Sequence, residues 1–191
     1  WEAPQFAHLP LLLKPDGNGK LSKRDGDRLG FPVFPLEWKT EDGEIYSGYK
    51  EKGYFPEAFV NMLAFLGWNP GTTQELFSLE ELCEAFTLGR VAKSGAKFDA
   101  EKTKWFQQNY LKNTPDEELA QKLKPLVDDK VSDEKLVAMS KLMKERATFM
   151  QDMVSEGSYL LEQPKEYDAQ TLKKKWKENT TDLMVEWKSK L

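Results

Sequence analysis

Capped amphipathic segments follow one another from Pro56 to the C-terminus, and they constrain the fold more than any other feature of the sequence. Proline suits the first position of a helix, and glycine often ends one. Between Pro56 and Gly67, apolar residues recur at helical spacing, namely Phe55, Phe59, Met62, Leu63 and Leu66. The pattern predicts a chain that is mainly α-helical from Pro56 onwards.

Further helix starts are marked by side chains that can accept hydrogen bonds from free backbone N–H groups. These predicted caps are Ser78 with Glu81, Asp99, Thr114 with Glu117, Ser132 and Asp168. The segment that begins at Ser132 is periodic as far as Gly157 and is predicted to be the longest helix. The predicted core includes Leu79, Leu82, Cys83 and Phe86, and the methionine-rich stripe Leu136, Met139, Leu142, Met143, Ala147, Met150 and Val154.

The first fifty residues show a different pattern. Residues 9–13 are short, continuous and apolar, which predicts a buried strand. A parallel strand of that kind needs neighbours on both sides. The sequence offers none of matching type, so the rest of its sheet is expected to lie outside this chain. Further on, a turn signal at residues 41–44 separates residues 36–39 from residues 45–47 and predicts a small β-hairpin.

A short basic stretch, Lys20-Leu21-Ser22-Lys23-Arg24, lies between two turn signals. Residues 16–19 and 25–27 are rich in Gly, Asn and Asp, so the stretch is predicted to lie in a loop. Three cations on a mobile loop suit a polyanion such as a triphosphate. Taken alone, however, a short basic loop is more often solvated surface than a binding site.

The composition excludes several classes of protein. The single Cys83 and single His8 cannot build a disulfide framework or a complete zinc site, so no metal is expected. No apolar run approaches the ~20 residues that a bilayer requires. The 191 residues carry a formal net charge of −4, which argues against indiscriminate nucleic-acid binding but allows a local basic face. The absence of a disulfide framework favours a cytosolic compartment. Trp1 is not a plausible native start, so a fragment is expected.

Several motifs resemble one family. Residues 1–27, with His-Leu-Pro before Lys-Leu-Ser-Lys-Arg, resemble the end of the nucleotide-binding core of a class I aminoacyl-tRNA synthetase and are most similar to glutamyl-tRNA synthetase. The motifs at residues 53–58, 61–68 and 98–102, with Trp105 and Tyr110, also match that family. The resemblance is strong as far as Tyr110 and looser beyond it.

The resemblance implies three parts. Residues 1–30 would end the class I catalytic core with a KMSKS-like loop, residues 31–112 would form the stem-contact region, and residues 113–191 would begin a helix-cage anticodon-binding domain. Residues 29–47 look like an insertion that contains the predicted hairpin. The expected fold class is therefore mainly α, preceded by a remnant strand and loop of the nucleotide-binding domain and the hairpin.

The resemblance also implies an active site. In the family this loop closes over ATP, with Mg²⁺, while glutamate is activated for transfer to tRNA-Glu. The expected ATP-binding residues are Lys20, Leu21, Ser22, Lys23 and Arg24. Lys23 matches the catalytic lysine, because a cation that meets the departing phosphates mainly in the transition state lowers the barrier. Ser22 is expected to hydrogen-bond within the loop. The whole protein is expected to be a cytoplasmic monomer without a membrane anchor.

Basic residues near the third predicted helix suggest a second site. In the family this segment meets the inner corner of the tRNA, and phosphate contacts position a nucleic acid without reading its sequence. The expected backbone contacts are Arg90, Lys93 and Lys97. The run of lysines at residues 173–175 is interpreted as a solvated face, because its charges point in several directions beside acidic residues.

Two other interpretations are less consistent with the sequence. A glutaminyl enzyme resembles β-barrel proteins in its anticodon region, whereas this chain is helical after Pro56. A non-catalytic helical RNA-binding or scaffold module would explain the helices but not the apolar strand and the basic loop. The family's His-x-Gly-His-type signature is not in this chain, so the fragment alone is expected to be inactive.

Overall fold

A computed structural model of the chain describes residues 1–162 and 166–190, apart from the side chain of Asp27. The chain forms two compact units, Trp1–Gly157 and Ser158–Leu191. In the described residues α-helix is the dominant secondary structure, and the strands are short. The predicted fold class, a mainly α chain preceded by a strand and a loop, is confirmed.

The strands of the first unit pair in two small sheets. They are β1 (Leu12–Leu13), β2 (Trp38–Lys39), β3 (Ile45–Tyr46) and β4 (Ala96–Lys97). β2 and β3 are antiparallel, with Trp38 opposite Tyr46. Between them Gly43 has a φ of +87°, a left-handed conformation that favours glycine. The predicted hairpin is therefore confirmed.

The strand predicted at residues 9–13 is wrong in its length, burial and pairing. Strand geometry is limited to β1, and Leu9 and Leu11 are 64% and 56% exposed. A parallel partner is present in the described chain, because β1 pairs with β4. The amides of Ala96 and Phe98 each donate to a carbonyl of the β1 segment at 3.0 Å. The apolar run stays exposed because one two-residue neighbour cannot cover it.

The helices follow in chain order. In the first unit they are α1 (Lys23–Leu29), α2 (Pro56–Phe65), α3 (Leu79–Ala85), α4 (Ala100–Asn113), α5 (Asp116–Leu123), α6 (Asp133–Met143) and α7 (Met150–Glu156). Single 3₁₀ turns lie at Leu88–Arg90 and Lys124–Leu126. The second unit contains α8 (Ser158–Leu161), α9 (Ala169–Lys175) and α10 (Thr180–Lys188).

Most of the predicted caps are confirmed. The cap side chain accepts a backbone N–H three residues ahead at Ser78, Asp99, Ser132 and Asp168. The cap predicted at Thr114 is wrong, because its hydroxyl donates to the Tyr110 carbonyl at 2.7 Å and closes α4 instead. Pro115 then occupies the cap position of α5 without a side-chain hydrogen bond.

The long helix predicted from Ser132 to Gly157 is wrong, because the chain breaks between α6 and α7. The carboxylate of Asp152 accepts the N–H groups of Thr148 and Phe149 at 3.0 and 2.8 Å, which starts a new helix. The methionine-rich stripe is core at five of its predicted positions, which are buried together with Met153: Leu136, Met139, Met143, Ala147 and Met150. The prediction is wrong for Leu142, which is 59% exposed. These methionines belong to helices that contact the buried face of α5.

The predicted core between α2 and α3 is only partly correct. Leu82 is buried, but Leu63, Leu79 and Phe86 are 46%, 58% and 41% exposed. Cys83 is exposed as well. These side chains lie on the outer surfaces of two adjacent helices, and helical spacing alone does not distinguish that surface from the core.

Asn61 joins α2, α4 and the segment before α3 from a fully buried position. Its Oδ1 accepts the Phe77 N–H at 2.8 Å, and its amide nitrogen donates to the Glu75 carbonyl at 3.0 Å. The Tyr110 hydroxyl of α4 lies 2.6 Å from the Phe77 carbonyl and 2.7 Å from Asn61 Oδ1. This buried network holds the three segments in register.

Replacing Asn61 by alanine is expected to destabilise the first unit. The change leaves the buried Phe77 N–H unpaired, which costs about 1–3 kcal/mol. It also removes the hydrogen bond to the Glu75 carbonyl, worth about 0.5–1.5 kcal/mol. Urea denaturation followed by tryptophan fluorescence should show a free energy of unfolding lower by about 2–4 kcal/mol. The exposed Asn69 provides the control, since Asn69→Ala should change the free energy of unfolding by less than about 0.5 kcal/mol. Equal stability of the two variants would contradict this role.

Candidate active-site loop and basic surface

A tight turn brings the basic stretch back beside β1. Gly17 and Gly19 have φ values of +80° and +87°, which favour glycine. Beyond the turn, the Leu21 N–H donates to the Leu12 carbonyl at 2.8 Å. Lys20 forms an isolated antiparallel bridge with Leu13. The turn predicted before the basic stretch is therefore confirmed.

The basic stretch itself is only partly a loop. Lys20 is exposed, while Leu21 is half-buried and packs against the apolar core of the first unit. Lys23 and Arg24 form the first turn of α1, with both side chains exposed. The prediction of a loop that continues through residues 25–27 is wrong, because Asp25 lies in the first turn of α1 and accepts hydrogen bonds from Ser22, which immediately precedes the helix.

The carboxylate of Asp25 is the centre of this segment. The residue is only 7% exposed, and its Oδ2 accepts the Ser22 backbone N–H at 2.9 Å and the Ser22 hydroxyl at 2.6 Å. Its Oδ1 lies 2.9 Å from Arg28 Nη2 and 3.4 Å from Lys14 Nζ. The hydrogen bonds from Ser22, together with the two cations, hold the pKa of the Asp25 carboxyl well below its usual range. Ser22 therefore hydrogen-bonds within the segment, as expected.

Sequence reasoning missed Asp25, although a signal was present. Ser22-Lys23-Arg24-Asp25 has the spacing of a capping box, in which the third helical residue reaches back to the backbone N–H of the cap. Gly26 and Asp27, which follow Asp25 in the sequence, favoured the prediction of a turn over that of a helix start. The structure gives Gly26 another role, because a Cβ there would collide with the Val33 side chain and lie 2.7 Å from the Phe31 carbonyl.

Phe31 connects α1 to the core of the first unit. Its N–H donates to the Gly26 carbonyl at 3.0 Å, and its ring stacks on Phe98 at 4.3 Å between centroids. The cluster around this pair also contains buried Met62 of α2 and Phe106 of α4. The basic stretch is therefore attached to the main helices by an aromatic anchor.

The hairpin lies against Lys23. The Nζ of Lys23 is 5.4 Å from the centroid of the Phe34 ring. Phe34 stacks on Trp38 with centroids 6.1 Å apart and planes at 17°, and its centroid is 5.8 Å from that of Tyr46. Arg24 shares a small surface cavity with residues 44–46. The structure therefore brings the hairpin and the basic stretch together.

The predicted tRNA-contact residues are all exposed but lie on different elements. Arg90 ends a 3₁₀ turn and its guanidinium lies against Gly71, while Lys93 is in the loop before β4. Lys97 is on β4, and a Cβ built on Gly17 would lie 3.1 Å from its Cε. Lys97 therefore borders the turn that precedes the basic stretch.

Two neighbouring lysines have local partners. Lys102 Nζ is 2.6 Å from Glu75 Oε1 and 3.7 Å from the centroid of the Trp105 ring. Lys104 Nζ is 3.1 Å from Glu101 Oε1. These pairs stabilise α4 and its contacts rather than leaving the two charges available for a nucleic acid.

Comparison with known proteins identifies the family. A family model for the catalytic domain of class I tRNA synthetases (E and Q) matches residues 1–105, which is more than half of the chain. The chain belongs to the class I tRNA synthetases. Residues 118–191 match an anticodon binding domain. The family predicted from the motifs is confirmed, and it favours a synthetase over the scaffold alternative.

Relatives of this synthetase chain are closely similar but much longer. It is 56% identical over 190 residues to the glutamate–tRNA ligase of Christiangramia forsetii and 51% identical over 191 residues to that of Bacteroides thetaiotaomicron. Each match covers 97% of this chain and 38% of the relative. The chain therefore spans about two-fifths of the length of these curated relatives.

Solved synthetase structures have the same fold over this region. A crystal structure of a glutamate tRNA ligase from Elizabethkingia meningosepticum, in complex with its amino acid, matches with a TM-score of 0.89 at 47% identity. That match covers 97% of this chain and 38% of the other. The glutamate-tRNA synthetase from Elizabethkingia anophelis gives a TM-score of 0.83 at 48% identity, covering 91% of this chain and 36% of the other.

Two negative findings apply to residues 1–162 and 166–190 of this synthetase chain. No group of three or more His, Cys, Asp or Glu side chains there could hold a metal ion. None of the helices formed there is long and apolar enough to cross a membrane.

The titration of Asp25 tests its role in the synthetase loop. Because its pKa is lowered in the fold, its contribution to stability is complete above the usual carboxyl value of about 4 and is lost as pH falls through the lower folded value. In an NMR titration its carboxyl carbon should keep its neutral-pH chemical shift down to about pH 3. Ser22→Ala should move the midpoint of this titration to higher pH, because it removes a hydrogen bond to the carboxylate. Thr40→Ala in the hairpin should leave the midpoint unchanged. A wild-type midpoint near pH 4 would contradict the account.

Proposed function

We propose that this chain is the part of a glutamate–tRNA ligase that carries the KMSKS-like loop, the stem-contact region and the start of the anticodon-binding domain. The complete protein would activate glutamate with ATP, form AMP and transfer the glutamate to tRNA-Glu. The observation that supports this most is the identity of 56% and 51% to two glutamate–tRNA ligases across 97% of the chain. The chain alone is proposed to be inactive, because it spans only part of those relatives.

In this proposal Lys23 is the catalytic cation. When the glutamate carboxylate attacks the α-phosphorus of ATP, the bond to the bridging oxygen breaks and pyrophosphate leaves with the negative charge. A cation that reaches those oxygens mainly in the transition state raises turnover more than it tightens binding. Lys23 suits the task because its side chain is exposed and, within the described residues, forms no ion pair.

The other members of the stretch would support the same phosphates. Lys20 and Arg24 are exposed cations on either side of Lys23, and Leu21 fixes the segment to the core. Ser22 would act through Asp25, whose hydrogen bonds set the start of α1. Mg²⁺ would be held mainly through the phosphates of ATP and water, as is common for this ion.

The rest of the chain is proposed to bind tRNA. Residues 1–30 would belong to the catalytic core, residues 31–112 to the stem-contact region, and residues 113–191 to the anticodon-binding domain. Arg90, Lys93 and Lys97 would contact the phosphate backbone, since all three are exposed cations on or shortly before β4. We further propose that the complete enzyme is a cytoplasmic monomer.

Replacing Lys23 by alanine in the complete protein tests the catalytic assignment. Loss of a transition-state charge donor is expected to lower the turnover of glutamate-dependent ATP–pyrophosphate exchange by on the order of 10²-fold or more. Lys141→Ala is the matched control, because Lys141 is an exposed lysine on α6. Unchanged turnover in Lys23→Ala would remove Lys23 from the mechanism. Absence of exchange in the wild-type protein with tRNA-Glu present would refute the proposed function.

The tRNA surface is tested by a charge-matched pair of triple variants. Alanine at Arg90, Lys93 and Lys97 should weaken tRNA binding and flatten the dependence of log affinity on log salt by about 0.7–0.9 per lost phosphate contact. Alanine at Lys173, Lys174 and Lys175 removes the same charge from the face interpreted as solvated. Equal losses in both variants would indicate a general charge effect and contradict the assigned contacts.

A further inference from the structure

The hairpin between α1 and α2 lies within the proposed stem-contact region, but none of its residues is assigned a contact in the proposed function. Its residues 36–47 contain four carboxylates against one lysine, Lys39. An acidic surface is a poor match for RNA phosphates, but it suits a neighbouring cationic segment. One such segment, the basic stretch, lies beside the hairpin, since Arg24 shares a surface cavity with Glu44, Ile45 and Tyr46.

The contact between the two segments is an ammonium group over an aromatic ring. Lys23 Nζ is 5.4 Å from the Phe34 centroid, within the ~6 Å range over which a cation is attracted to a ring face. Phe34 is half-buried, so its ring cannot turn away freely. Trp38 stacks on one side of it, with planes at 17°, and Tyr46 packs at 58°.

The base of the hairpin fixes the backbone that carries this ring. The Tyr49 N–H donates to the Phe34 carbonyl at 2.9 Å, and the Lys50 N–H donates to the Pro35 carbonyl at 3.1 Å. The Glu51 carboxylate accepts the Glu37 N–H at 2.8 Å. Tyr49 is itself buried in the core cluster, so the position of Phe34 is set by the main body of the first unit.

The Phe34 ring leaves the charge of the Lys23 ammonium group in place, whereas a carboxylate would neutralise it. Lys14 and Arg28 pair with Asp25, which reduces their attraction for a phosphate. The face of an aromatic ring holds a cation through its quadrupole and does not neutralise it. Lys23 is therefore restrained in direction while its full charge remains available to an incoming anion.

We propose that the hairpin positions Lys23, with Phe34 as the contact residue and Trp38 and Tyr46 as its support. The chemical partner of this surface is thus the ammonium group of the same chain, not a nucleic acid. The contact concerns the chain as it stands, whereas its effect on turnover rests on the proposed function. Phe34 is a positioning residue, because it acts through Lys23 and touches no substrate.

NMR of the 191-residue chain tests the contact directly. The ε-methylene protons of Lys23 should be shifted upfield by the Phe34 ring and should show nuclear Overhauser effects to its protons. Phe34→Leu should abolish the shift, Phe34→Tyr should keep it, and Leu36→Ala, an exposed hairpin control, should leave it unchanged. The wild-type measurement does not depend on how any variant folds. Lys23 protons at random-coil shifts without these effects would overturn the proposal.

Kinetics of the complete protein test the consequence. Phe34→Leu is expected to lower the turnover of ATP–pyrophosphate exchange by about 2–5-fold, the size of an exposed cation–ring interaction, and Phe34→Tyr should restore it. In a Lys23→Ala background, Phe34→Leu should have no further effect, because the interaction is already gone. The same loss in both backgrounds would mean a structural role only and would overturn the positioning role. Absence of exchange in every form would count against the proposed function, while the NMR contact would still decide the inference.

Discussion

The buried carboxylate of Asp25 is the interaction on which the candidate site depends. It accepts both the backbone N–H and the hydroxyl of Ser22, and it also draws in Arg28 from α1 and Lys14 from the end of β1. One side chain thus ties the strand, the basic stretch and the helix together. Because the hydrogen bonds favour its charged form, the carboxylate stays ionised at neutral pH. The neighbouring Lys23 forms no ion pair with a carboxylate in the described residues, so its ammonium group can face an anion.

The same segment is joined to the proposed tRNA surface by two further contacts. The stack of Phe31 on Phe98 carries α1 on the core of α2 and α4, and the pairing of β1 with β4 places Lys97 beside Gly17. The proposed tRNA surface and the basic stretch are therefore physically connected within the first unit.

The sequence was sufficient to predict turns and helix caps that depend only on neighbouring residues. The hairpin turn and the caps at Ser78, Asp99, Ser132 and Asp168 depend on residues within a few positions of each other, and they were predicted correctly. The pairing of β1 with β4 joins segments more than eighty residues apart, so the sequence pattern could not reveal it. The break between α6 and α7 depends on Asp152, whose apolar neighbours keep helical periodicity across it. At the site, the basic stretch and the turn before it could be recognised from the sequence. The burial of Asp25 and the hairpin's contact with Lys23 could not, because both depend on residues that pack together only in the fold.

The central claim is that Asp25 holds the basic stretch in place, and amide hydrogen exchange of Asp25→Asn tests it most directly. This variant keeps the shape of the side chain and removes its charge. The amides of Leu21 and Phe31, which donate to Leu12 and Gly26, should exchange faster, while the amides of α4 should not change. Asp16→Asn in the exposed turn should leave both sets unaffected. Unaltered protection at Leu21 and Phe31 in Asp25→Asn would contradict the claim.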